Sequence, residues 1–366
     1  MATATTYSTP VNGEVNDIRV ANPRTGAQLY TIREISEGDV KGYYEAAAKA
    51  GAAWAKKSIR ERLAVMDKVR AYILKNKDTI IQRIGDETGK PRTESLLTEV
   101  FPTLDLIDLY SKTAEKVLRD EKVKTPVLLM GKTSKIYYEP LGTVLIISPW
   151  NYPFNLSMTP ILTALIAGNA VVFKPSEYTP LKGLLETIFD GAGVPRDLVQ
   201  VVYGAKETGR MLIDGKPNKI FFTGSERAGK AIMAQAAQYL IPVELELGGK
   251  DPFIVFDDVN IERTLNGALW GSMTNSGQTC TSVERIYVHE KIYDEFVKKF
   301  KEKAEKITTP LTQRGKDADA TSDMGCMTTD FQIHKVEAQV RDALAKGAKV
   351  ECGGARSDES HVFPPR

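Results

Sequence analysis

The sequence predicts an α/β protein built on a parallel sheet. Three observations carry that expectation. Short apolar runs, Val144–Ile147, Ala170–Phe173, Val199–Val202 and Lys219–Phe222, alternate with helical stretches. The runs are largely continuous rather than alternating apolar and polar, the pattern of strands covered on both faces. The chain has 366 residues, 42% of them hydrophobic, which suffices for two or three domains with sizeable cores.

In chain order, the first 20 residues are polar and read as loose. Asn22-Pro-Arg-Thr-Gly26 is a turn signal between two short apolar runs and predicts a hairpin. Tyr43–Lys57 is alanine-rich and helical in character. Ile59, Leu63, Met66, Val69 and Ile73 recur at three- and four-residue steps, the mark of an amphipathic helix. Phe101–Leu118 reads as a helix, residues 119–126 as a solvated connector, and a strand pair follows through Tyr137-Tyr138. The sheet region then begins. Its helices fall at Thr159–Ala167, Leu181–Asp190 and Arg227–Leu240. Ile261–Thr274 is a further helix, Val283–His289 a strand, and Tyr293–Ile307 a lysine-rich helix with a solvated face.

Charge excludes several classes. Lys+Arg is 49 and Asp+Glu 47, a net charge of +2, with no basic stripe to hold nucleic acid. Cys280, Cys326 and Cys352 are odd in number and widely spaced, which argues for a reducing compartment rather than a disulfide framework. His289, His334 and His361 are isolated, so no metal site is expected. The most apolar stretch, Ile161–Phe173, is 13 residues long, short of the roughly 20 needed to span a bilayer. The chain reads as soluble and cytoplasmic, without a secretory signal.

Parallel sheets bind ligands at the carboxyl ends of their strands. Five segments of chemical interest lie there or close by. In Phe222-Thr-Gly-Ser-Glu-Arg-Ala-Gly229, a strand, a glycine turn and a helix start offer free N–H groups to a phosphate. A glycine turn required by the backbone alone is the other reading. In Val172-Phe-Lys-Pro-Ser-Glu177, Glu177 suits a ribose diol and Lys174 can assist; a plain surface ion pair is the alternative. In Ser148-Pro-Trp-Asn-Tyr-Pro153, prolines stiffen a loop whose Asn151 amide can donate to an oxyanion, or simply serves the turn. In Val243-Glu-Leu-Glu-Leu-Gly-Gly-Lys250, Glu246 lies in an apolar strand, where burial would raise its pKa and make it a general base. In Asn275-Ser-Gly-Gln-Thr-Cys280-Thr281, a cysteine sits in a loop of small residues, reachable as a nucleophile must be.

Together these segments resemble the NAD(P)-dependent aldehyde dehydrogenase superfamily. The resemblance rests on Pro149-Trp-Asn151, Lys174-Pro-Ser-Glu177, Phe222-Thr-Gly-Ser225, Glu246-Leu-Gly-Gly-Lys250 and Gly277-Gln-Thr-Cys280, in that order, and covers nearly the whole chain. It implies that the Cys280 thiolate attacks an aldehyde carbon. Asn151 and the Cys280 N–H would hold the oxyanion, hydride would pass to the nicotinamide, and Glu246 would activate the water that hydrolyses the thioester. A cofactor site of Ser148, Trp150, Lys174, Ser176, Glu177, Gly204, Gly224, Ser225, Gly229 and Leu247 is implied likewise. NAD is expected over NADP, which some relatives with this motif also use, because Glu177 repels a 2′-phosphate. Tyr152, Thr279 and Thr281 would line the substrate tunnel.

The resemblance further implies three parts. Residues 1–121 and 141–248 would be the NAD-binding domain with a Rossmann-type sheet, and 122–140 an oligomerisation hairpin. Residues 249–366 would form a second α/β domain, the catalytic one, incomplete. Family members run longer than this chain. The later Glu-x-Phe-Gly-Pro segment, whose glutamate holds the nicotinamide ribose, is not in the sequence. Exposed apolar surface and a tendency to aggregate are therefore expected. The expected partners are a small aldehyde and further copies of the chain, as a dimer or tetramer once the remaining C-terminal part is supplied, with no nucleic acid and no membrane. Two alternatives stand beside aldehyde oxidation. One is a catalytically dead relative that binds NAD or assembles. The other is CoA-dependent acylation, which Glu246 disfavours.

Overall fold

The computed structural model describes residues 17–310 and 321–356. Most of the polar N-terminal stretch, His361 and the end of the expected catalytic part lie outside the described residues. The expected hairpin is formed by β1 (Asp17–Ala21) and β2 (Gln28–Arg33), antiparallel. Its turn is held by Asn22, whose Oδ1 accepts from the N–H groups of Arg24 (3.0 Å) and Thr25 (3.1 Å).

Helices follow: α1 (Glu37–Trp54), α2 (Ile59–Lys75), α3 (Lys77–Thr88) and α4 (Arg92–Ser95). The last continues through a π-helical turn at Leu96–Val100 into α5 (Phe101–Val117). Ser58 starts α2 with a capping box: its Oγ accepts from the Glu61 N–H, and Glu61 Oε2 accepts from the Ser58 N–H at 2.7 Å. A small antiparallel pair, β3 (Glu121–Val123) and β4 (Ser134–Ile136), projects next, and its tip residues Val127, Leu128 and Met130 are exposed. Part of the expected connector is thus itself a strand.

The centre is a five-stranded parallel sheet, as the alternating runs predict. Its strands and helices run β5 (Thr143–Ile147), α6 (Asn155–Ile166), β6 (Ala170–Lys174), α7 (Leu184–Ala192), β7 (Val199–Val201), α8 (Lys206–Asp214), β8 (Lys219–Gly224), α9 (Glu226–Ala237) and β9 (Val243–Leu247). The spatial order is β7-β6-β5-β8-β9, so the chain crosses over between β5 and β8. Helices α2, α5, α6 and α7 pack together over one face, and α1, α8 and α9 over the other. Every residue of β5 and β6 is buried between them. Trp54 anchors α1, its Nε1 donating to the Leu165 carbonyl at 2.7 Å. The α7 helix starts three residues later than its apolar pattern suggests, because Leu181 (φ 47°) and Gly183 (φ 77°) adopt left-handed backbone.

Beyond the sheet, β10 (Asp251–Val255) pairs in parallel with β11 (Val283–Val288), flanked by α10 (Ile261–Met273) and α11 (Tyr293–Ala304). This part has a small core of Val255, Leu265, Ala268 and Phe296. Helix α12 (Asp330–Ala345) follows. Among the described residues, no helix is long and apolar enough to cross a membrane.

Candidate active site

The sheet gathers the motif segments on one rim, since parallel strands end on the same side. At the end of β5, the buried Ser148 donates its hydroxyl to the Leu156 carbonyl at 2.9 Å, which turns the chain toward α6. At the end of β6, Lys174 is 4% exposed, so it is no surface ion-pair residue. Its Nζ donates to the carbonyls of Gly204 (2.8 Å) and Pro175 (3.0 Å) and lies 3.7 Å from Glu177 Oε2. Burial lowers the pKa of this ammonium, and the charges of Glu177 and Glu34 oppose the shift. Lys174 thereby ties the loop after β6 to Gly204 after β7. Ser176 Oγ accepts from the Tyr178 N–H.

At the end of β8, Ser225 caps α9, its Oγ accepting from the Ala228 N–H at 3.3 Å. Gly224 leaves room for the Phe222 ring, and Gly229 for Leu247 of β9: a Cβ at Gly229 would lie 2.9 Å from Leu247 Cδ2. The glycines of this turn therefore have a packing reason of their own. Half-buried Trp150 meets Phe331 of α12 edge-on at 5.8 Å.

The Asn151 and Cys280 loops are brought together. Asn151 Nδ2 donates to the Gln278 carbonyl at 2.9 Å, two residues before the cysteine. An amide nitrogen carries two hydrogens, so one donor is engaged by that bond and a second is left. The Tyr152 hydroxyl and Thr279 Oγ1 are 2.6 Å apart. Cys280 is exposed, whereas Cys326 is buried and Cys352 half-buried; all three are free. Gly249 runs beside this loop, with a Cβ there 3.7 Å from the Cys280 carbonyl oxygen.

Glu246 departs from expectation. It is exposed, not buried. Side chains alternate along a strand. Leu245 and Leu247 face α9, which turns Glu244 and Glu246 to the opposite side of an edge strand. The buried general base expected from its apolar neighbours is therefore not found; the carboxylate stands in solvent.

Sequence reasoning missed a buried charged cluster beneath these loops. Lys90 is 5% exposed and pairs with fully buried Glu99. Its Nζ also donates to the Asn151 carbonyl at 2.6 Å and sits 4.1 Å from the centre of the Tyr152 ring. Glu99 Oε2 accepts from the N–H groups of Phe154 and Asn155, both at 2.9 Å. Glu94 Oε1 accepts from the Asn275 N–H. Burial lowers the pKa of Lys90 and raises that of Glu94. The one available signal was Ser95 and Glu99, one helical turn apart, with Glu94 and Val100 beside them on one short stretch.

Comparison with known proteins fits this architecture. The model of the aldehyde dehydrogenase family matches residues 11–366. The 4,4′-diapolycopene aldehyde oxidase of Methylomonas sp is 42% identical over 303 residues, 82% of this chain and 56% of that protein. A protein of Mycolicibacterium smegmatis, provisionally named succinate-semialdehyde dehydrogenase (NADP+), is 36% identical over 333 residues, 90% of this chain and 63% of its own length. The chain thus spans less than two thirds of these relatives. The NAD+ complex of an aldehyde dehydrogenase from Bacillus cereus superposes with a TM-score of 0.88 at 29% identity, over 96% of this chain and 70% of that one. With the family model spanning nearly all of the sequence and the fold shared, the chain belongs to the aldehyde dehydrogenase family.

Proposed function

We propose that this chain carries the nucleophile and cofactor side of an NAD(P)-dependent aldehyde dehydrogenase, which oxidises an aldehyde to a carboxylic acid. The observation that carries the reading is the junction of the Asn151 amide with the loop of exposed Cys280. The Cys280 thiolate adds to the aldehyde carbon, forming a C–S bond and an alkoxide. The free Asn151 Nδ2 donor and the Cys280 N–H stabilise that oxyanion. Glu246, exposed and solvated, takes the proton of the water that later cleaves the thioester and frees the thiolate.

The residues on the sheet rim fit a dinucleotide. Glu177 stands at the carboxyl end of β6, fixed by the Lys174–Gly204 bond, and α9 begins at the end of β8 with its first N–H groups facing outward. Ser148, Trp150, Ser176 and Leu247 frame those ends, with Gly224, Ser225 and Gly229 at the helix start. When bound, the nicotinamide accepts the hydride that the aldehyde carbon loses. The Glu177 carboxylate favours NAD, while the name of the mycobacterial relative specifies NADP.

Turnover by the 366-residue chain, read as NADH or NADPH formation with apolar, aromatic and semialdehyde substrates, tests the reading. Cys280→Ala is expected to abolish it. Unchanged turnover in that variant would remove Cys280 as nucleophile. Formation of an acyl-CoA in place of the free acid when CoA is added, with Cys280 still required, would point to the acylating alternative instead.

The remaining parts follow the same reading. Residues 1–121 and 141–248 serve as the cofactor domain, 249–366 as catalytic domain, and 122–140 as an assembly surface for further copies. The exposed tip Val127, Leu128 and Met130 supports the last assignment. A solution mass equal to one chain would overturn it. Three free cysteines support a cytoplasmic site of action, which cell fractionation checks.

A further inference from the structure

We propose that Glu94, beside the buried Lys90–Glu99 pair, is a positioning residue that locks the nucleophile loop in a strained left-handed turn. The inference rests on the reading of Cys280 as nucleophile.

Asn275 (φ 55°, ψ 33°), Ser276 (φ 57°, ψ 34°) and Gly277 (φ 73°) are left-handed in succession. Only glycine adopts this conformation freely; an L-residue there costs about 1–2 kcal/mol. Two such residues in a row, five and four positions before Cys280, do not persist without outside support. That support is visible from both sides. From the sheet side, Glu94 Oε1 takes the Asn275 N–H, and the Asn275 side-chain amide donates to the Asn151 carbonyl at 3.0 Å. The same carbonyl accepts from Lys90 Nζ, so one oxygen joins the oxyanion loop, the nucleophile loop and the charged cluster. From the other side, Ser276 Oγ donates to the Gly325 carbonyl at 3.1 Å, and the Thr328 N–H donates to Gln278 Oε1 at 2.9 Å. Gln278 Nε2 closes the turn on the Asn275 carbonyl at 2.9 Å.

Within this frame Glu94 is distinctive. Its second oxygen, Oε2, is buried without a hydrogen-bond partner. A buried carboxylate oxygen left unbonded is costly and is rare in native proteins. The carboxylate is retained at that cost because Oε1 holds the backbone of the turn, while Lys90 supplies the countercharge. Relaxation of Asn275 and Ser276 to right-handed backbone would redirect every residue that follows. The Gln278 carbonyl would then leave the Asn151 amide and Cys280 would move with it, and misplacement of about 1 Å at a reacting group costs about a hundredfold in rate.

The test uses the full chain in four forms: native, Glu94→Gln, Glu94→Ala and Glu94→Ala/Ser276→Gly. Two readouts are taken, amide hydrogen exchange of the peptide spanning 274–282 and steady-state turnover. Glu94→Ala is expected to lose exchange protection in 274–282 while β5 and β6 keep theirs. Its kcat should fall about a hundredfold with KM changed only a few-fold. Glu94→Gln retains an acceptor for the Asn275 N–H and should stay within about tenfold of native. Adding Ser276→Gly, which takes the left-handed conformation without strain, should recover part of both protection and kcat. The proposal falls if folded Glu94→Ala keeps native protection and kcat, or if Gln and Ala lose equally. Where Glu94→Ala does not fold, Glu94→Asp withdraws the carboxylate by one methylene, and undiminished protection in that variant overturns the proposal just as well. If the native chain turns over no aldehyde, the exchange measurement still decides the clamp, and only the functional reading fails.

Discussion

The central sheet and the β10–β11 unit are built by opposite means. In the sheet, β5 and β6 are buried along their whole length, and the core runs from Val40 to Ile241. In the second unit, β10 and β11 alternate between exposed and half-buried positions over a core of Val255, Leu265, Ala268 and Phe296. The nucleophile loop belongs to the weaker unit, yet most of what fixes it comes from the stronger one. The geometry of the Cys280 loop is borrowed from a core the loop does not belong to, through Glu94, Asn151 and Tyr152.

Removing the cation beneath that junction should have the largest effect on stability. Lys90→Met leaves Glu99 buried beside an apolar side chain, at a cost of about 3–5 kcal/mol. Urea unfolding measures it, and a loss below about 1 kcal/mol would mean that the Phe154 and Asn155 N–H groups carry the Glu99 charge unaided. The contrast itself is open to native-state hydrogen exchange. Amides of β10 and β11 should exchange roughly a hundredfold faster than those of β5 and β6, since local opening follows buried apolar contact. Equal rates would show one cooperative unit and dissolve the comparison.

The smallest effect lies in the seam. Cys326 Sγ packs against Gly89, which ends α3 at φ 75° and where a Cβ would stand 2.2 Å from that sulfur. Burial pushes the Cys326 thiol from 9.0 up to about 12. Between those values the unfolded chain releases a proton that the folded chain keeps. The folded-state pKa is raised, so this contribution is complete below pH 9 and is lost as pH rises toward 12, at about 1.4 kcal/mol per pH unit. Unfolding at pH 9 and pH 10 should show the slope, and Cys326→Ala should flatten it. An unchanged slope would place the thiol's ionisation elsewhere than in the seam.

The sheet was legible because covered parallel strands write themselves as unbroken apolar runs, and because the motif segments come after strands. Residues 77–88 were harder. Asn76 both ends α2 and begins α3, so neither glycine nor proline divides two helical patterns. In α12, Ile333, Val336, Val340 and Leu344 keep helical spacing, but of that helix only Ile333 is buried, so periodicity there does not report a core. Glu246 misleads because apolar neighbours along a strand point the other way. The Glu94–Asn275 bond joins residues 181 positions apart, a separation over which no sequence pattern signals contact. The motif segments could be read locally; the bonds that hold their loops together could not.

The arrangement of helices also sets a schedule for synthesis. Trp54 must find the Leu165 carbonyl, 111 residues downstream. At translation speeds of 5–20 residues per second, that is a wait of roughly 5–20 s on the ribosome. During it, α2 already exists with Met66, Val69 and Ile73, all fully buried in the finished protein, facing water. Three of the helices that cover the sheet, α1, α2 and α5, are made before any of its strands. A nascent chain of this design therefore presents an apolar helical surface to water for seconds before its own sheet can occupy it, which is the time window in which a holdase chaperone would engage it.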